Sequence, residues 1–158
     1  MIASPDVIVR VARVDERVAL EALQWRASLA NPADRDALIA HPDAIDLPET
    51  QIMDGLVFVA ERSGAVEAFA ALLDRADGEM ELDGLFVEPL LWRSGLGRIL
   101  VEHCAEASLR RGAHRLHVVA NAAAEGFYQA CNFVLAGREA TRFGPASRMV
   151  RSLHAPVG

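Results

Sequence analysis

The sequence Glu79-Met-Glu-Leu-Asp-Gly-Leu-Phe-Val-Glu-Pro-Leu-Leu-Trp-Arg-Ser-Gly-Leu-Gly-Arg98 decides the fold of this chain. It predicts a strand over residues 81–87, a turn that opens at Pro89, a short glycine loop and a helix that begins near Leu96. A glycine loop that leads into a helix points several backbone N–H groups at one place, where the positive end of the helix dipole also lies. This geometry suits a bound phosphate.

Two tight turns connect three strands around this stretch. Ser63-Gly64 separates residues 56–61 from residues 66–73, and Asp77-Gly78 precedes residues 79–87. Both turns have sequences that are typical of hairpin connections. We therefore expect an antiparallel meander of three strands.

A helix and a further strand follow the glycine loop. The helix ends near Gly112 and leads into a strand over residues 114–120. Its apolar stripe consists of Ile99, Leu100, Cys104 and Ala107. A helix that joins two strands of one sheet makes a crossover connection, so the strands before and after it should run parallel.

The N-terminal third contains one clear strand and one clear helix. Residues 7–13 alternate as in a strand, and Asn31-Pro32 closes the helix that follows. The apolar face of this helix is expected to consist of Val18, Ala22, Trp25 and Leu29. Residues 33–55 are irregular, with short helices expected at 34–40 and 49–53. A segment of this kind is either a lid or binding loop or an inert connector.

The C-terminal part supplies the last elements. Asn121 is expected to cap a short helix over residues 122–130, and residues 133–136 and 148–153 are the last strands. The loop between these strands contains Gly137, Gly144 and Pro145. The order of elements predicts one α/β (α+β) domain over residues 1–158, in which helices cover a mixed sheet.

The composition of the chain excludes several classes of function. The net charge of −6 argues against nucleic acid as a partner, because phosphate backbones bind surfaces rich in lysine and arginine. The first residues lack the regions of a signal peptide, and no apolar run approaches the roughly 20 residues that span a bilayer, so no membrane partner is expected. Cys104 and Cys131 show no disulfide pattern and indicate reduced thiols. We expect a soluble cytoplasmic protein.

The glycine loop by itself has several interpretations. The dinucleotide fingerprint requires a third glycine where this chain has Leu100, and an acidic residue after the next strand, which is also missing. A phosphate-binding P-loop requires a Gly-Lys-Ser/Thr sequence that the chain lacks. Glycines that only form a turn remain an alternative. The loop Gly95-Leu96-Gly97 therefore does not identify a ligand on its own.

Two separate motifs together resemble the GNAT N-acetyltransferase superfamily. Leu85-Phe-Val-Glu-Pro89 followed by Arg93-Ser-Gly-Leu-Gly-Arg98 resembles the acyl-CoA-binding core of that family. A later stretch resembles the second signature of that family; it reads Asn121-Ala-Ala-Ala-Glu-Gly-Phe-Tyr-Gln-Ala-Cys-Asn-Phe133. The order of elements also matches over nearly the whole chain. The resemblance implies a mixed, mostly antiparallel sheet of about six to seven strands, with about four flanking helices and a splayed central parallel pair.

Two positions depart from the family's pattern. Trp92 stands where the pyrophosphate loop usually begins with Gln or Arg, so any side-chain contact to phosphate would shift to Arg93 or Arg98. Asn132 stands where Gly is usual, but Asn tolerates a left-handed backbone better than other non-glycine residues. Neither departure removes the resemblance.

The resemblance implies acetyl-CoA as the acyl donor and suggests which residues bind it. Backbone groups of Leu85, Phe86 and Val87 are expected to bond the pantetheine amides, and the Val87 N–H is a candidate oxyanion donor. Asn121 is expected to contact the pantetheine, and Tyr128 to lie beside the thioester. The pyrophosphate is expected to be held by Arg93, Ser94, Gly95, Leu96, Gly97 and Arg98.

The expected reaction is direct attack of a neutral amine on the acetyl thioester. An alkylamine has a pKa of about 10.4, so a base must remove a proton, and the leaving thiolate benefits from an acid. Tyr128 matches the proton donor of the family, although it can also be a core aromatic. Glu81 is the favoured base and Asp83 the next, with a solvated strand edge as the alternative. In an ideal strand Glu81 and Asp83 would share a face with Leu85 and Val87.

The remaining expectations concern metals and partners. No metal site is predicted, because His114 and His117 are three residues apart on a strand and so point to opposite faces. The acceptor, a small-molecule amine or a protein amine, is expected to contact Trp25, residues 33–55 and residues 137–146. The family also suggests a homodimer. The alternative to an enzyme is a non-catalytic acyl-CoA-binding domain of the same fold.

Overall fold

A computed structural model describes residues 6–141 and 143–154 of the chain. Its strands are β1 (Ile8–Val11), β2 (Val57–Arg62), β3 (Ala65–Asp74), β4 (Met80–Val87), β5 (Arg115–Asn121), β6 (Val134–Thr141) and β7 (Gly144–Ser152). Its α-helices are α1 (Arg17–Ala30), α2 (Pro32–Ala40), α3 (Glu49–Met53), α4 (Leu96–Arg110) and α5 (Glu125–Ala130). None of these helices is long and apolar enough to cross a membrane.

The seven strands form one sheet in the order β1-β2-β3-β4-β5-β7-β6. Every neighbouring pair is antiparallel except β4 and β5, which α4 joins as a parallel pair. The parallel pairing covers only Met80–Leu116, Glu81–His117 and Leu82–Val118, and beyond Leu82 the two strands separate. The predicted mixed sheet with a splayed central parallel pair is therefore confirmed.

The helices cover the two faces of the sheet, and β3 shows how the sequence divides between them. Ala68, Ala70 and Leu72 face the core under α4, which contributes Leu96, Leu100, Val101 and Cys104. Phe69 and Ala71 face the opposite side, where α1 and α3 contribute Leu20, Leu23 and Ile52. This alternation is the two-residue period of a strand that is buried on both faces.

A β-bulge interrupts β4 at Asp83. Ala71 pairs with Gly84, whereas the next residue, Leu72, pairs with Leu82, so Asp83 is an extra residue in β4. Met80 and Leu82 before the bulge face α4, and Leu85 and Val87 after it face α4 as well. Glu81 consequently points to the opposite side of the sheet from Leu85 and Val87. The prediction of one shared face was wrong, because it assumed a regular strand.

The buried face of α1 also differs from the prediction. Leu20, Leu23 and Ala27 are buried, whereas 75% of Val18 is exposed. Apolar residues occur on more than one side of α1, and both candidate sets satisfy helical spacing. The spacing alone therefore could not select the face that the sheet covers.

The last two strands are longer than predicted. Gly137 lies inside β6 at a shift of register, and Gly144 and Pro145 begin β7. Glycine and proline usually indicate a loop, but a bulge and the first residues of a strand accept them. The short helices expected within residues 33–55 are present as α2 and α3.

Candidate active site

A cleft of about 1750 Å³ opens where β4 and β5 separate. It is lined by α1 and α2 on one side, by the ends of β4 and β5, by the loop before α4, and by α5 and the tip of the β6–β7 hairpin. The divergent parallel strands create the space, because β4 and β5 no longer pair with each other beyond Leu82 and Val118. Most of the residues predicted to bind acetyl-CoA line this cleft.

The glycine loop has the backbone that an anion site requires. Gly95 has φ 93° and precedes the first turn of α4, in which the Ile99 N–H donates to the Gly95 carbonyl at 3.1 Å. The N–H groups of Leu96, Gly97 and Arg98 therefore have no acceptor within the helix. These groups and the helix dipole favour a negatively charged ligand.

The second glycine of the loop has a different role. A Cβ at Gly97 would lie 3.2 Å from Cζ of Phe127 on α5. Glycine at this position therefore lets α4 and α5 pack closely, whereas Gly95 supplies a left-handed backbone. The two glycines satisfy two independent requirements of the same loop.

Arginine side chains complete the anion site. Arg93 and Arg98 are exposed, line the cleft and form no ion pair within the part of the chain that the structure describes. Arg93 has a left-handed backbone with φ 67°. Ser94 between them has a buried Oγ atom without a hydrogen-bond partner among the described residues. Two unpaired cations beside free N–H groups suit a diphosphate.

After the bulge, the backbone N–H and carbonyl groups of every second residue of β4 face the gap. The Glu88 N–H donates to the Glu67 carbonyl at 2.9 Å, on the β3 side. Backbone groups alternate along a strand, so those of Leu85 and Val87 point to the gap, whereas those of Phe86 pair with Phe69 in β3. Of the three residues expected to bond pantetheine, Leu85 and Val87 have backbone groups available.

Trp92 already occupies one of these groups. Its indole Nε1 donates a hydrogen bond of 2.9 Å to the Val87 carbonyl. The side chain lines the cleft and 40% of its surface is exposed. The residue that departs from the family's pattern thus contacts the backbone expected to bind the acyl donor.

Asn121 lies at the end of β5, and both the oxygen and the nitrogen of its side-chain amide form hydrogen bonds. Its Oδ1 accepts a hydrogen bond of 3.0 Å from the Ala124 N–H, which confirms the predicted cap. Its Nδ2 donates to Asp34 on α2 at 3.2 Å. Asn121 therefore connects the end of β5 to α2, across the cleft.

Tyr128 lies on α5 and faces the cleft from a buried position. Only 7% of it is exposed, and its ring packs edge-on against Phe127 and Phe133 at centroid distances of 5.0 and 5.4 Å. Burial raises the pKa of the Tyr128 phenol, and the nearby thiols of Cys131 and Cys104 raise it further. The phenol remains protonated at neutral pH and can act as a proton donor.

Asn132 has φ 69°, as expected for a left-handed cap.

The two carboxylates of β4 have different environments. Asp83 lines the cleft. The surrounding protein desolvates its carboxyl and raises its pKa, whereas a hydrogen bond from Gln51 lowers this pKa. Glu81 lies outside the cleft and 3.6 Å from Arg75. Burial also raises the pKa of Glu81, and the charge of Asp83 adds to this effect. Of these two carboxylates, only Asp83 lines the cleft.

Asp34 is a carboxylate of the cleft that the sequence analysis did not identify. It is half-buried on α2 and accepts hydrogen bonds from Asn31 at 3.0 Å and Asn121 at 3.2 Å. Burial raises its pKa, and the Asn121 bond lowers it. The available signal was the cap Asn31-Pro32 at the start of the irregular segment. The distant partner Asn121 was not visible in the local pattern.

The residues expected to shape the acceptor region are only partly in the cleft. Trp25 is not among the described residues that line it, so its expected contact with the acceptor stays a prediction. Residues 33–55 contribute Asp34, Ala37, Leu38, Ala44 and Ile45. The hairpin contributes Thr141, Phe143, Gly144, Pro145 and Ala146. The first half of this segment, as far as Ile45, thus forms part of a wall of the cleft.

A cluster of potential metal ligands lies outside the cleft. Atoms of Asp77, Glu79 and His117 lie within 4.8 Å of one another, and the His117 Nε2 is 2.9 Å from Glu79. The spacing of the histidines could not reveal this cluster, because a hairpin brings the carboxylates to His117. Arg75 binds Asp77 at 2.9 Å and Arg115 lies 3.5 Å from Glu79, so the carboxylates already have cationic partners.

Comparisons with known proteins agree with this geometry. The model of the Acetyltransferase (GNAT) family matches residues 20–133. No curated protein sequence matches the chain.

Solved structures share the fold at low sequence identity. The GCN5-related N-acetyltransferase "Aminotransferase, Class-II" from Rhodopseudomonas palustris has a TM-score of 0.77 at 20% identity, covering 97% of this chain and 99% of that one. The putative acetyltransferase yncA from Salmonella typhimurium, solved with acetyl-CoA, has a TM-score of 0.69 at 21% identity, covering 96% of each chain. The paia N-acetyltransferase from Thermoplasma acidophilum, solved with coenzyme A, has a TM-score of 0.73 at 16% identity, covering 92% and 98%.

Proposed function

The chain belongs to the GNAT acetyltransferase family, and from that premise we propose that it transfers the acetyl group of acetyl-CoA to a primary amine. One observation carries this proposal. A single cleft joins an anion-binding helix N-terminus to a buried phenol, Tyr128, and a carboxylate, Asp83. A phosphate-bearing thioester and two groups that transfer protons can therefore meet in one place.

The acyl donor would extend along the cleft from the glycine loop to Tyr128. Its pyrophosphate binds the free N–H groups of Leu96–Arg98, together with the side chains of Arg93 and Arg98. Its pantetheine arm lies in the gap beside β4, where the groups of Leu85 and Val87 are directed. Solved neighbours that contain acetyl-CoA or coenzyme A support the choice of acyl donor.

The chemical step needs proton transfers at the acceptor nitrogen and at the leaving sulfur. Asp83 removes a proton from the ammonium form of the acceptor, directly or through a water molecule, and the neutral nitrogen attacks the thioester carbonyl. The Val87 N–H stabilises the developing oxyanion, which can contribute about 3 kcal/mol. As the C–S bond breaks, the leaving sulfur takes the proton of Tyr128, and the phenolate regains a proton from the nitrogen of the tetrahedral intermediate, which becomes the neutral amide. Glu81 is the second candidate for the base.

Two measurements test the proposal. Calorimetry with acetyl-CoA should show binding, and an assay of thiol release over a panel of primary amines should show turnover. Binding without turnover on any amine would favour the non-catalytic acyl-CoA-binding domain, and absence of binding would exclude both functions.

A pair of arginine variants tests the assigned phosphate site. Arg98→Ala should weaken acetyl-CoA binding about tenfold, because a charge-assisted hydrogen bond contributes about 1.5 kcal/mol. The matched control is Arg110→Ala in the last turn of the same helix, which should leave the Kd unchanged. Equal effects of the two variants would contradict the location of the site.

A further inference from the structure

We propose that the acceptor is a small amine with a second positive charge, such as a diamine or an amine with a guanidinium group, and that Asp34 binds this second charge. The inference rests on the proposed function and names its class of acceptor. It follows from the partners of Asp34, from the distribution of charge in the cleft, and from the cost of desolvating a carboxylate.

The Asp34 carboxylate has only neutral partners. Its two oxygens accept hydrogen bonds from the side-chain amides of Asn31 and Asn121. No Arg or His forms an ion pair with it in residues 6–141 and 143–154. Other carboxylates of the chain, such as Glu16, Glu88 and Glu102, pair with arginines. Asp34 is thus half-buried and has no counter-charge among the described residues.

The charged residues that line the cleft are divided among its walls. Among the described lining residues, the arginines are Arg93 and Arg98, at the glycine loop and the start of α4. The rest of α4 contributes Glu102, His103 and Glu106. In the part of the chain that the structure describes, the walls formed by α1, α2, β4, β5, α5 and the hairpin contribute the charged side chains Asp34 and Asp83. The described surface left for the acceptor is therefore acidic.

An acceptor that fills this region must offset both carboxylates. A bound molecule displaces the water that solvates them, and a desolvated carboxylate without a cation is costly. The reacting nitrogen arrives as an ammonium and can be met by Asp83, which then takes its proton. Asp34 still requires a cation, and a monoamine has none to offer. An amino acid would add a carboxylate and increase the repulsion.

The experiment compares matched acceptors and matched variants. Initial rates are measured with saturating acetyl-CoA for 1,n-diaminoalkanes, for n-alkylamines of the same length, and for ω-amino acids of the same length. We expect kcat/KM for the best diamine to exceed that of the matched monoamine by at least about tenfold, the effect of one charge-assisted contact. Raising the salt concentration should reduce the ratio.

Two substitutions on α2 assign the effect to a residue. Asp34→Asn keeps the shape and should lower the ratio of diamine to monoamine kcat/KM to about one. Asp36→Asn, an exposed position two residues further along α2, should keep the ratio of the wild type. Calorimetry with acetyl-CoA and circular dichroism show whether each variant is folded and binds the donor. If Asp34→Asn does not fold, the acceptor panel with the wild type still decides the inference.

The outcomes separate this inference from the proposed function. Turnover of monoamines with an equal kcat/KM for diamines would overturn the inference and leave the acetyltransferase intact. A preference for ω-amino acids would do the same, as would an unchanged ratio in Asp34→Asn. Absence of turnover with every amine would overturn both.

Discussion

At the scale of single residues, Asp83 and Glu81 show how two carboxylates of one strand acquire different environments. They are two positions apart in β4, but only Asp83 lines the cleft, while Glu81 lies beside Arg75. An extra residue in the strand causes this difference. The sequence favoured Glu81 as the base, and the position of Asp83 in the cleft leads us to propose Asp83 before Glu81.

The two carboxylates can be compared in a pH–rate profile. A base must be ionised, so the rate falls as the pH drops through its pKa, and the raised pKa of Asp83 places this acidic limb above the ordinary value of about 3.9. Asp83→Asn should lower kcat about 10²-fold or more and remove the limb. Glu81→Gln is the control and should keep it. Loss of the limb only in Glu81→Gln would show that the assignment is reversed.

Tyr128 can be tested by removing a single oxygen. Tyr128→Phe keeps the buried ring between Phe127 and Phe133 but has no proton for the leaving thiolate. We expect kcat to fall about 10²-fold while the Kd for acetyl-CoA, measured by calorimetry, changes little. The control is Phe127→Leu, which changes a neighbouring ring that has no ionisable group. Unchanged kcat in Tyr128→Phe would remove Tyr128 from the mechanism.

In the proposed binding mode, Trp92 competes with the acyl donor for the Val87 carbonyl. Trp92→Phe removes the indole N–H that now occupies this carbonyl and keeps an aromatic ring. A net hydrogen bond contributes about 0.5–1.5 kcal/mol, so the Kd for acetyl-CoA should fall about two- to tenfold. The control is Trp25→Phe, at the other tryptophan, which lies outside the cleft. A weaker affinity in Trp92→Phe would mean that the indole itself contacts the donor.

At the scale of elements, the loop before α4 combines local and tertiary requirements. Gly95 is needed for its left-handed backbone, a local property that the sequence shows directly. Gly97 is needed because Phe127 of α5 packs against it, a contact between distant parts of the chain. The two glycines look alike in the sequence, but only Gly95 is required by the conformation of the loop itself, whereas Gly97 is required by packing against α5.

The turn between β1 and α1 is stabilised by Glu16, which pairs with Arg10 and also accepts a hydrogen bond from the Arg13 N–H. Arg10 in β1 donates two hydrogen bonds to Glu16, at 2.9 and 2.8 Å, and these bonds lower the pKa of Glu16 to about 2. A carboxyl with a lowered pKa stabilises the fold above its ordinary pKa and loses this effect as the pH falls towards 2.

Replacing the carboxyl of Glu16 tests this contribution. Glu16→Gln should lower the free energy of unfolding by about 1–3 kcal/mol at pH 7 and by less at pH 3, as measured by urea denaturation. Asp15→Asn changes a neighbouring carboxyl that is exposed and should have little effect at either pH. An equal loss at both pH values would show that the charge of Glu16 is not the cause.

At the scale of the whole molecule, a short parallel pairing and α4 connect two halves of the sheet. β1 to β4 form one half and β5, β7 and β6 the other, and β4 pairs with β5 through three residues of each strand. A ligand that lies in the gap would contact both halves. Binding of acetyl-CoA should therefore stabilise the molecule as a unit.

Thermal denaturation measures this stabilisation. Acetyl-CoA at 100 times its Kd should add about 2.7 kcal/mol, which corresponds to a rise in Tm of roughly 5–10 °C for a domain of this size. Hydrogen exchange should slow at Leu85 and Val87. Inorganic pyrophosphate, which lacks the pantetheine arm, is the control and should protect neither residue. Protection of the glycine loop alone would contradict binding along β4.

The sequence by itself determined the properties that depend on neighbouring residues. The alternation of apolar residues, the hairpin turns and the order of elements were sufficient for the mixed sheet. The glycine loop and the Asn121–Phe133 motif were sufficient for the family. These features are local, because propensity, capping and turn geometry act over a few residues.

Only the tertiary structure decided which side chains share the cleft. The bulge at Asp83 results from how β4 pairs with β3, and it reverses the faces that alternation predicts. Asp34 meets Asn121 across 87 positions of the chain, and Trp92 reaches Val87 because a turn folds it back. Such contacts depend on how elements pack, and the spacing of residues within one element contains no information about the partner that packs against it.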